Sequence, residues 1–300
     1  MGIFSNLLSA GGLLFNSAPD YSYGLIKQTG ADKLLGDGRW DDFDRLVMGL
    51  GSEDLTRLLD GVCLGSTYAN MINKYLLEGK SEVREIVAGA HNLYLAWERR
   101  GGNWGHTLSG EQVDGFTLHL QKAHDNFSYR FSTPVLEAES FARLIRVYMG
   151  FSDAEAAQSS FEKASYLRPN HLLAHLNYFK VTTPKWLGDV NTMQAYVDQV
   201  EDVNLRKLLM LMLLVELYSD FDTEDTVTAK TNFTKEYSSL VEGGLLNDYD
   251  FNGDSLIVIY TKNYLSCLYR ILGLSKKEAE LNKQLIGRRT NYPWAYFGWK

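Results

Sequence analysis

The sequence has few cysteines, few prolines and no long apolar run, and each scarcity excludes a class of protein. Its two cysteines, Cys63 and Cys267, stand too far apart for a zinc knuckle or a Cys-x-x-Cys redox pair. We therefore expect a reduced, cytoplasmic protein without a disulfide framework. The 5 prolines and the lack of low-complexity tracts argue against long disordered segments. No stretch of about 20 apolar residues is present, so we expect no membrane span.

Negative charge is in excess, with 37 acidic against 30 basic side chains and a net charge of −7. An acidic chain has little non-specific affinity for nucleic acid or for an anionic membrane surface. We therefore expect neither as a partner. The same balance favours a basic protein as the partner, while the oligomeric state stays open.

Helical spacing dominates the chain and predicts an all-α fold of about a dozen helices. Ala157, Phe161, Ala164 and Leu167 follow one another at intervals of four, three and three, which places them on one helix face. A Ser-x-x-Glu/Gln pattern, typical of a capped helix start, occurs three times, at Ser109–Gln112, Ser152–Glu155 and Ser275–Glu278.

Short turns between these helices predict stacked helix pairs, because a pair with one apolar face must bury it against a neighbour. Residues 154–179 resemble the second helix of a tetratricopeptide repeat and the start of the next repeat. The matching positions are Ala157, Phe161, Ala164, Leu167, Pro169, Asn170 and Ala174. Residues 113–127 and 278–297 give looser echoes, so we expect an irregular tetratricopeptide-like array of antiparallel helix pairs.

Three regions are expected along this array. Residues 1–38 form a partly helical N-terminal segment, and residues 39–220 form the helical-repeat domain. Residues 221–300 add C-terminal helices packed on the same array. The last ten residues, "NYPWAYFGWK", carry five aromatic rings that must be buried somewhere. They predict either a lid over the last helix pair or a docking surface for a partner.

Residues 40–200 also resemble an uncharacterised bacterial helical family. The resemblance depends on the segments "RWDDFDRL", "LAWERRG" and "TPKWLGDVNTMQAYV" and on the repeat-like helix that ends in "LRP". The family's Pro-Lys/Arg-Trp-Gly turn is matched by Pro184, Lys185 and Trp186, although Leu187 intervenes before Gly188. The resemblance implies no enzyme activity. Because some relatives look like immunity or accessory proteins encoded beside secreted bacterial toxins, it implies toxin neutralisation as one specific function.

The segment "AWERRGGNWGH", residues 96–106, is the best candidate for a partner-binding loop. Trp and Arg are enriched at interface hot spots. The candidate contact residues are Arg99, Arg100, Trp104 and His106, together with Lys185 and Trp186 of the Pro-Lys-Trp turn. The segment also fits a plain helix end with Trp97 in the core. A third interpretation is an all-α enzyme that acts on a glycan-like substrate with Glu98 in an aromatic cleft.

Other motifs predict no catalytic, metal or cofactor site. The stretch "DYDFNGDS", residues 248–255, starts like a calcium loop, but Ile259 stands where the bidentate glutamate should be. His171 and His175 share a helix face without a third metal ligand. Gly79-Lys80-Ser81 lacks the upstream glycine of a phosphate-binding loop and is better interpreted as a helix end followed by a helix start. The sequence thus predicts a protein-binding, non-enzymatic helical repeat.

Overall fold

The computed structural model describes residues 20–102, 105–219, 226–246 and 249–299. Within these ranges the chain forms fifteen α-helices and no strand, and thirteen of the helices have seven or more residues. The prediction of an all-α fold with about a dozen helices is confirmed. None of the described helices combines the length and apolarity needed to cross a bilayer.

The chain folds into two compact units that divide between Val181 and Thr182. The first contains α1 (Leu25–Thr29), α2 (Ala31–Gly36), α3 (Trp40–Met48), α4 (Ser52–Cys63), α5 (Ala69–Glu78), α6 (Glu82–Arg100), α7 (Gly110–Phe127), α8 (Pro134–Phe151), α9 (Ala154–Leu167) and α10 (Leu172–Val181). The second contains α11 (Val190–Gln199), α12 (Val203–Ser219), α13 (Thr226–Gly243), α14 (Leu256–Ile271) and α15 (Ser275–Gln284). This division differs from the 220–221 boundary expected from the sequence.

Consecutive helices of the first unit pack as pairs. Helix α6 pairs with α7, and α8 pairs with α9, in each case across a short connection that makes the two helices antiparallel. Helix α10 packs against α8 and α9, while α4 contacts both α6 and α8. The apolar core of this unit runs from α1 to α8.

The helical spacing within residues 154–179 places three small residues in the packing of α9 and α10. Ala157 and Ala164 of α9 and Ala174 of α10 are fully buried. Their small side chains let the helices approach closely. Phe161 stacks on Tyr178 with ring centroids 4.4 Å apart and nearly parallel planes, at 10°. The spacing along α9 is therefore explained by its packing against both α8 and α10.

Two glycines set the distance between α7 and its neighbouring helices. A Cβ added at Gly89 of α6 would lie 2.5 Å from the ring of Phe127 on α7. A Cβ at Gly150 of α8 would lie 2.6 Å from Leu120 and 2.9 Å from Phe116, both on α7. Helix α7 thus packs against one glycine on α6 and one on α8. The rings of Phe127 and Phe116 occupy the space that a side chain at these glycines would need.

The three predicted helix caps have different outcomes. Ser109 forms the full capping box with Gln112 at the start of α7, as predicted. The prediction for Ser152 was wrong, because Asp153 caps α9 and Ser152 adopts a left-handed backbone with φ 60°. The prediction for Ser275 was also wrong, since α15 already begins at this residue and no side chain caps it.

Asn263 of α14 holds the C-terminal segment of the second unit in place. Its side-chain amide donates hydrogen bonds to the Ile259 carbonyl at 2.8 Å and to the Arg288 carbonyl at 3.0 Å. Its oxygen accepts from the Thr290 N–H at 3.1 Å and from the Trp294 indole at 2.9 Å. Asn263 is fully buried. Because these four bonds use both amide hydrogens and the oxygen, the protein itself satisfies every hydrogen-bonding group of the side chain.

The C-terminal aromatic residues pack on their own unit. Trp294 is buried under the guanidinium of Arg289, which lies 3.9 Å from the ring centroid. Arg270 of α14 lies 4.6 Å from the ring of Trp299, and Phe297 contacts Tyr218 of α12. The segment packs on α12 and α14 as a lid would, although the sequence placed the lid over the last helix pair, α14 and α15.

We predict that Gly89→Ala destabilises the protein although alanine is the better helix former. The added methyl group must displace Phe127, and overpacking of this kind costs about 1–3 kcal/mol, against a propensity gain of about 1 kcal/mol. Urea denaturation gives the free energy of unfolding. Gly115→Ala on α7 is the matched control, because a Cβ there meets its nearest neighbour at 3.6 Å. Equal stability of the two variants would contradict the tight α6–α7 contact.

We predict that Asn263→Leu lowers the free energy of unfolding by about 3 kcal/mol, because it leaves the Thr290 N–H and the Trp294 indole without an acceptor. Chemical denaturation followed by tryptophan fluorescence measures this loss. In a Trp294→Phe background the same substitution should cost less, since the indole N–H is then absent. Strictly additive effects of the two substitutions would show that the bond to Trp294 is not coupled to Asn263.

Candidate functional site: a predicted contact surface and a buried ionic cluster

The predicted contact residues Arg99 and Arg100 end helix α6 in different environments. Arg99 is exposed, and its aliphatic stem packs beside Gly115 of α7, where a Cβ would come within 3.6 Å of three of its carbons. Arg100 is only 9% exposed, and its carbonyl accepts a hydrogen bond from Gln112 at 3.2 Å. Arg99 can therefore meet a partner directly, whereas Arg100 mainly supports the helix end.

Trp97 fixes this end of α6 to the core. Its ring meets Phe116 of α7 edge-on, with centroids 5.1 Å apart. The guanidinium of Arg146 from α8 lies 4.2 Å from the Trp97 ring, and that of Arg100 lies 5.8 Å away. These contacts agree with the interpretation that places Trp97 in the core. They also concentrate three arginines, Arg99 included, at one helix end.

Two further predicted contacts belong to the loop that follows. Trp104 lies outside the described residues. The backbone of His106 lies in a short 3-10 turn, Gly105–Thr107, and its side chain is outside the description. The roles of Trp104 and His106 in binding stay predictions.

Glu98, the candidate catalytic residue of the glycan-enzyme interpretation, is exposed on α6. Its carboxylate accepts a hydrogen bond from the Tyr94 hydroxyl at 3.4 Å. Burial, followed by the charge of Glu98, raises the pKa of Tyr94 to about 12. A glycosidase needs its acid held opposite a second carboxylate at a fixed separation. An exposed carboxylate on a helix surface does not provide that enclosure.

The Pro-Lys-Trp turn lies at the start of the second unit and is held by backbone hydrogen bonds. The Thr183 carbonyl accepts from the Trp186 N–H at 3.0 Å and from the Gly188 N–H at 3.3 Å. A Cβ at Gly188 would lie 2.2 Å from the Thr182 carbonyl oxygen, so only glycine fits. This explains the glycine of the motif in spite of the extra residue before it. Lys185 is exposed and Trp186 is half-buried.

A buried ionic cluster, which the sequence did not predict, lies in the first unit. Glu139 and Arg143 stand one turn apart on α8, and the Arg143 Nε donates to Glu139 Oε1 at 2.8 Å. A second nitrogen of Arg143 lies 2.9 Å from Asp60 Oδ1 on α4. The Thr56 hydroxyl, also on α4, donates to Glu139 Oε2 at 2.6 Å. One guanidinium therefore joins two carboxylates on two helices.

His171, just before α10, completes the cluster. Its side chain is 1% exposed, and its Nε2 lies 3.3 Å from Glu139 Oε2. Neither ring nitrogen has a well-aligned hydrogen bond, so the contact is one of proximity rather than a directed bond. The imidazole thus extends the cluster from α4 and α8 to the start of a third helix.

Burial and pairing oppose each other within the cluster. Burial alone would raise the pKa of Glu139, but Arg143, His171 and Thr56 together lower it to about 2. Burial also opposes the charge on Arg143, yet Asp60 and Glu139 raise its pKa. For Asp60, burial outweighs Arg143 and raises the pKa. Glu139 and Arg143 form the ionised pair, since the Glu139 carboxylate accepts hydrogen bonds from both Arg143 and Thr56.

The cluster is suited to structure rather than to chemistry on a substrate. Glu139, Arg143 and His171 are all buried, so no substrate atom can reach them without opening the packing of α4 on α8. Sequence reasoning missed the cluster because its partners are 83 residues apart in the chain. The one local signal was the Glu139–Arg143 spacing, which is common on solvated helix faces.

The sequence motifs that imitate ion and nucleotide sites have structural roles. His175 donates from Nε2 to the Pro169 carbonyl at 2.8 Å, away from His171. Ser81 caps α6 by accepting the Val83 N–H at 3.1 Å, as the helix-start interpretation predicted. Among the described residues there is no group of three or more His, Cys, Asp or Glu side chains placed to hold a metal ion.

The acidic stretch before α14 closes a turn. Asp248 lies outside the described residues. The Asp250 carboxylate accepts the Asn252 N–H at 2.8 Å, and Gly253 adopts φ 89°. A carboxylate just before a helix favours a cap, but Asp254 instead forms a two-pronged ion pair with Arg288. Its carboxylate is therefore already used within the protein.

Both cysteines are buried free thiols, one in each unit. Burial raises the pKa of Cys63 to about 12, and it also raises the pKa of Cys267. A thiol with a raised pKa and no access is a poor nucleophile.

No protein-family model, curated protein or solved structure matches the chain. The functional conclusion therefore depends on the geometry of the chain's own residues. The resemblance to a bacterial helical family stays an expectation from the sequence.

We predict that the ionic cluster makes stability depend on pH in the acid range. The pKa of Glu139 in the folded protein is about 2, below its ordinary value of 4.5. Such a group stabilises the fold above its unfolded pKa and loses that contribution as pH falls through its folded pKa. Stability should therefore fall between about pH 4.5 and pH 2, measured by urea denaturation at each pH.

Glu139→Gln should remove this titration. The variant should be less stable at pH 7 by about 3 kcal/mol, because Arg143 loses a buried partner, and its stability should change less between pH 4.5 and pH 2. Glu137→Gln, on the same helix, is the matched control and should keep the parental pH profile. A parental profile in Glu139→Gln would show that the acid sensitivity originates elsewhere.

Proposed function

We propose that the chain is a non-enzymatic helical-repeat protein that binds another protein. The observation that carries the proposal is the exposed Arg99 at the end of α6, whose aliphatic stem packs beside Gly115 of α7. A cation whose stem is held against a neighbouring helix loses less freedom on binding, which favours affinity. Stacked helix pairs such as α6–α10 provide an extended surface around it.

The partner that fits best is another protein, with a basic toxin domain as the specific form. The net charge of −7 favours approach of a basic partner. Arg99, Trp104 and His106 of the first unit, and separately Lys185 and Trp186 of the second unit, would then meet carboxylates or ring faces within that partner, while Arg100 holds the helix end through its contact with Gln112. The chain resembles a bacterial helical family of which some members look like toxin-immunity proteins, and this resemblance supports an immunity role in a bacterial cytoplasm. Nucleic acid and membrane are not proposed as partners.

The glycan-enzyme alternative loses its main support. It requires Glu98 in an aromatic cleft opposite a second carboxylate, whereas Glu98 is exposed and accepts only a long hydrogen bond from Tyr94. No further observation favours catalysis at that position, and the protein-binding proposal therefore stands alone.

We predict that the chain forms a stable complex with the product of the neighbouring gene when the two are co-expressed. Arg99→Glu should weaken this complex by at least about tenfold, as removal of a hot-spot residue does. Lys185→Glu should weaken it if the Pro-Lys-Trp turn takes part. Isothermal titration calorimetry with the purified full chains gives the dissociation constants.

Two charge-matched controls separate contact from general electrostatics. Arg130→Glu and Lys230→Glu change the net charge by the same amount at exposed positions outside the predicted contacts. They should leave affinity within about twofold, apart from a salt-dependent effect on the rate of association. A complex that tolerates Arg99→Glu and Lys185→Glu as well as the controls would refute the proposed surface, and absence of any complex would refute the partner.

A further inference from the structure

A groove of about 400 Å³ opens on the second unit, between the start of α12 and the end of α13. Val203 and Met210 line it from α12, and Leu240 and Leu245 line it from α13 and the turn that follows. Val203 is 53% exposed and Leu240 is 38% exposed. The groove therefore leaves aliphatic surface in water that the described residues of its unit do not cover, and a concave apolar surface with a few polar groups is the common form of a ligand site.

The charges around the groove favour an anion. Arg206 and Lys207 stand on one side, and Asp198 of α11 stands at the edge. The Asp198 carboxylate already accepts a hydrogen bond from Gln194 at 2.9 Å. Within the described part of the chain, the exposed guanidinium of Arg206 makes no hydrogen bond or ion pair. An uncommitted guanidinium beside aliphatic surface is the arrangement that holds the head of an amphipathic anion.

The volume of the groove decides between a small molecule and a protein. Small-molecule sites occupy about 300–1,000 Å³, and this groove lies at the lower end of that range. A stable protein interface needs about 800 Å² from each partner, which is far more than one groove of this size offers. The carboxylate of Asp198 also disfavours a doubly charged phosphate head, because repulsion grows with the charge of the ligand.

We propose that the groove binds a medium-chain aliphatic carboxylate, with its chain along Met210, Leu240 and Leu245 and its head on Arg206. The proposal is independent of the protein-binding function, because its residues are not among the predicted partner contacts. The apolar chain supplies most of the affinity through burial. The guanidinium orients the ligand and discriminates an anionic head from a neutral one.

Two neighbouring glycines allow a matched test of the groove. Gly244 lines the groove, and a Cβ added there meets only the Leu240 carbonyl oxygen, at 4.0 Å. Gly243 is not part of the lining, and a Cβ there meets nothing within 4 Å. Neither residue has a positive φ, so a side chain causes no backbone strain at either position. Phenylalanine should therefore fill the groove from position 244 and leave it open from position 243.

The test uses the full chain and octanoate, titrated by calorimetry below micelle-forming concentrations. We expect saturable binding at one site, abolished by Gly244→Phe and retained within about twofold by Gly243→Phe. Arg206→Gln should weaken octanoate binding by about two- to fivefold, the range of an exposed charge contact. Lys230→Gln, the charge-matched control, should not weaken it. Octan-1-ol should bind more weakly than octanoate and be insensitive to Arg206→Gln.

Several results would overturn the proposal. Absence of saturable octanoate binding would do so, as would equal behaviour of the two glycine variants or of Arg206→Gln and Lys230→Gln. Tighter binding of octyl phosphate than of octanoate would overturn the assignment of a carboxylate head. Thermal melting checks that each variant is folded. If Gly244→Phe does not fold, Val203→Trp at the exposed rim blocks the same space, and retained binding in that variant counts against the groove.

Discussion

The ion pair between Glu139 and Arg143 is the interaction on which the first unit depends. Removing two charges from water is costly, and the cost is met here because Arg143 contacts both Glu139 and Asp60 while Thr56 binds the remaining oxygen of Glu139. These partners belong to α4 and α8, so the orientation of the two helices is fixed by directed bonds as well as by apolar packing. A rotated α4 would leave a buried carboxylate unpaired, which excludes that alternative arrangement.

Local sequence patterns predicted the helices and their pairing well, because helix spacing and small residues act over short distances. Ala157, Ala164 and Phe161 occupy the packing positions that their spacing indicated. Patterns failed where tertiary contacts compete for the same side chain. Asp254 pairs with Arg288, which is distant in sequence, instead of capping α14. The Ser152 prediction failed for a local reason, because Ser152 ends α8 and the adjacent Asp153 caps α9. The ionic cluster and the α12–α13 groove could not be predicted, since both combine residues from separate helices.

The candidate site shows a similar division. The sequence indicated the end of α6 as an exposed, aromatic and basic segment, and Arg99 is indeed exposed there. The sequence could not tell which of Arg99 and Arg100 is exposed, because the exposure of each side chain depends on how α7 and Trp97 pack around the last turn of α6. The glycine of the Pro-Lys-Trp turn was recognised as part of a motif, whereas its physical reason, the approach of the Thr182 carbonyl, is visible only in three dimensions.

Each unit contains one buried free thiol, and the reactivity of that thiol reports local opening of the helices around it. Cys63 lies at the end of α4 beside the ionic cluster, and Cys267 lies in α14 near the residues that hold the C-terminal segment. A thiol reagent can modify either sulfur only when the surrounding helices separate, so the two rates of modification read out two independent opening equilibria. The natural cysteines thus distinguish loosening of one unit from loosening of the other without any introduced label.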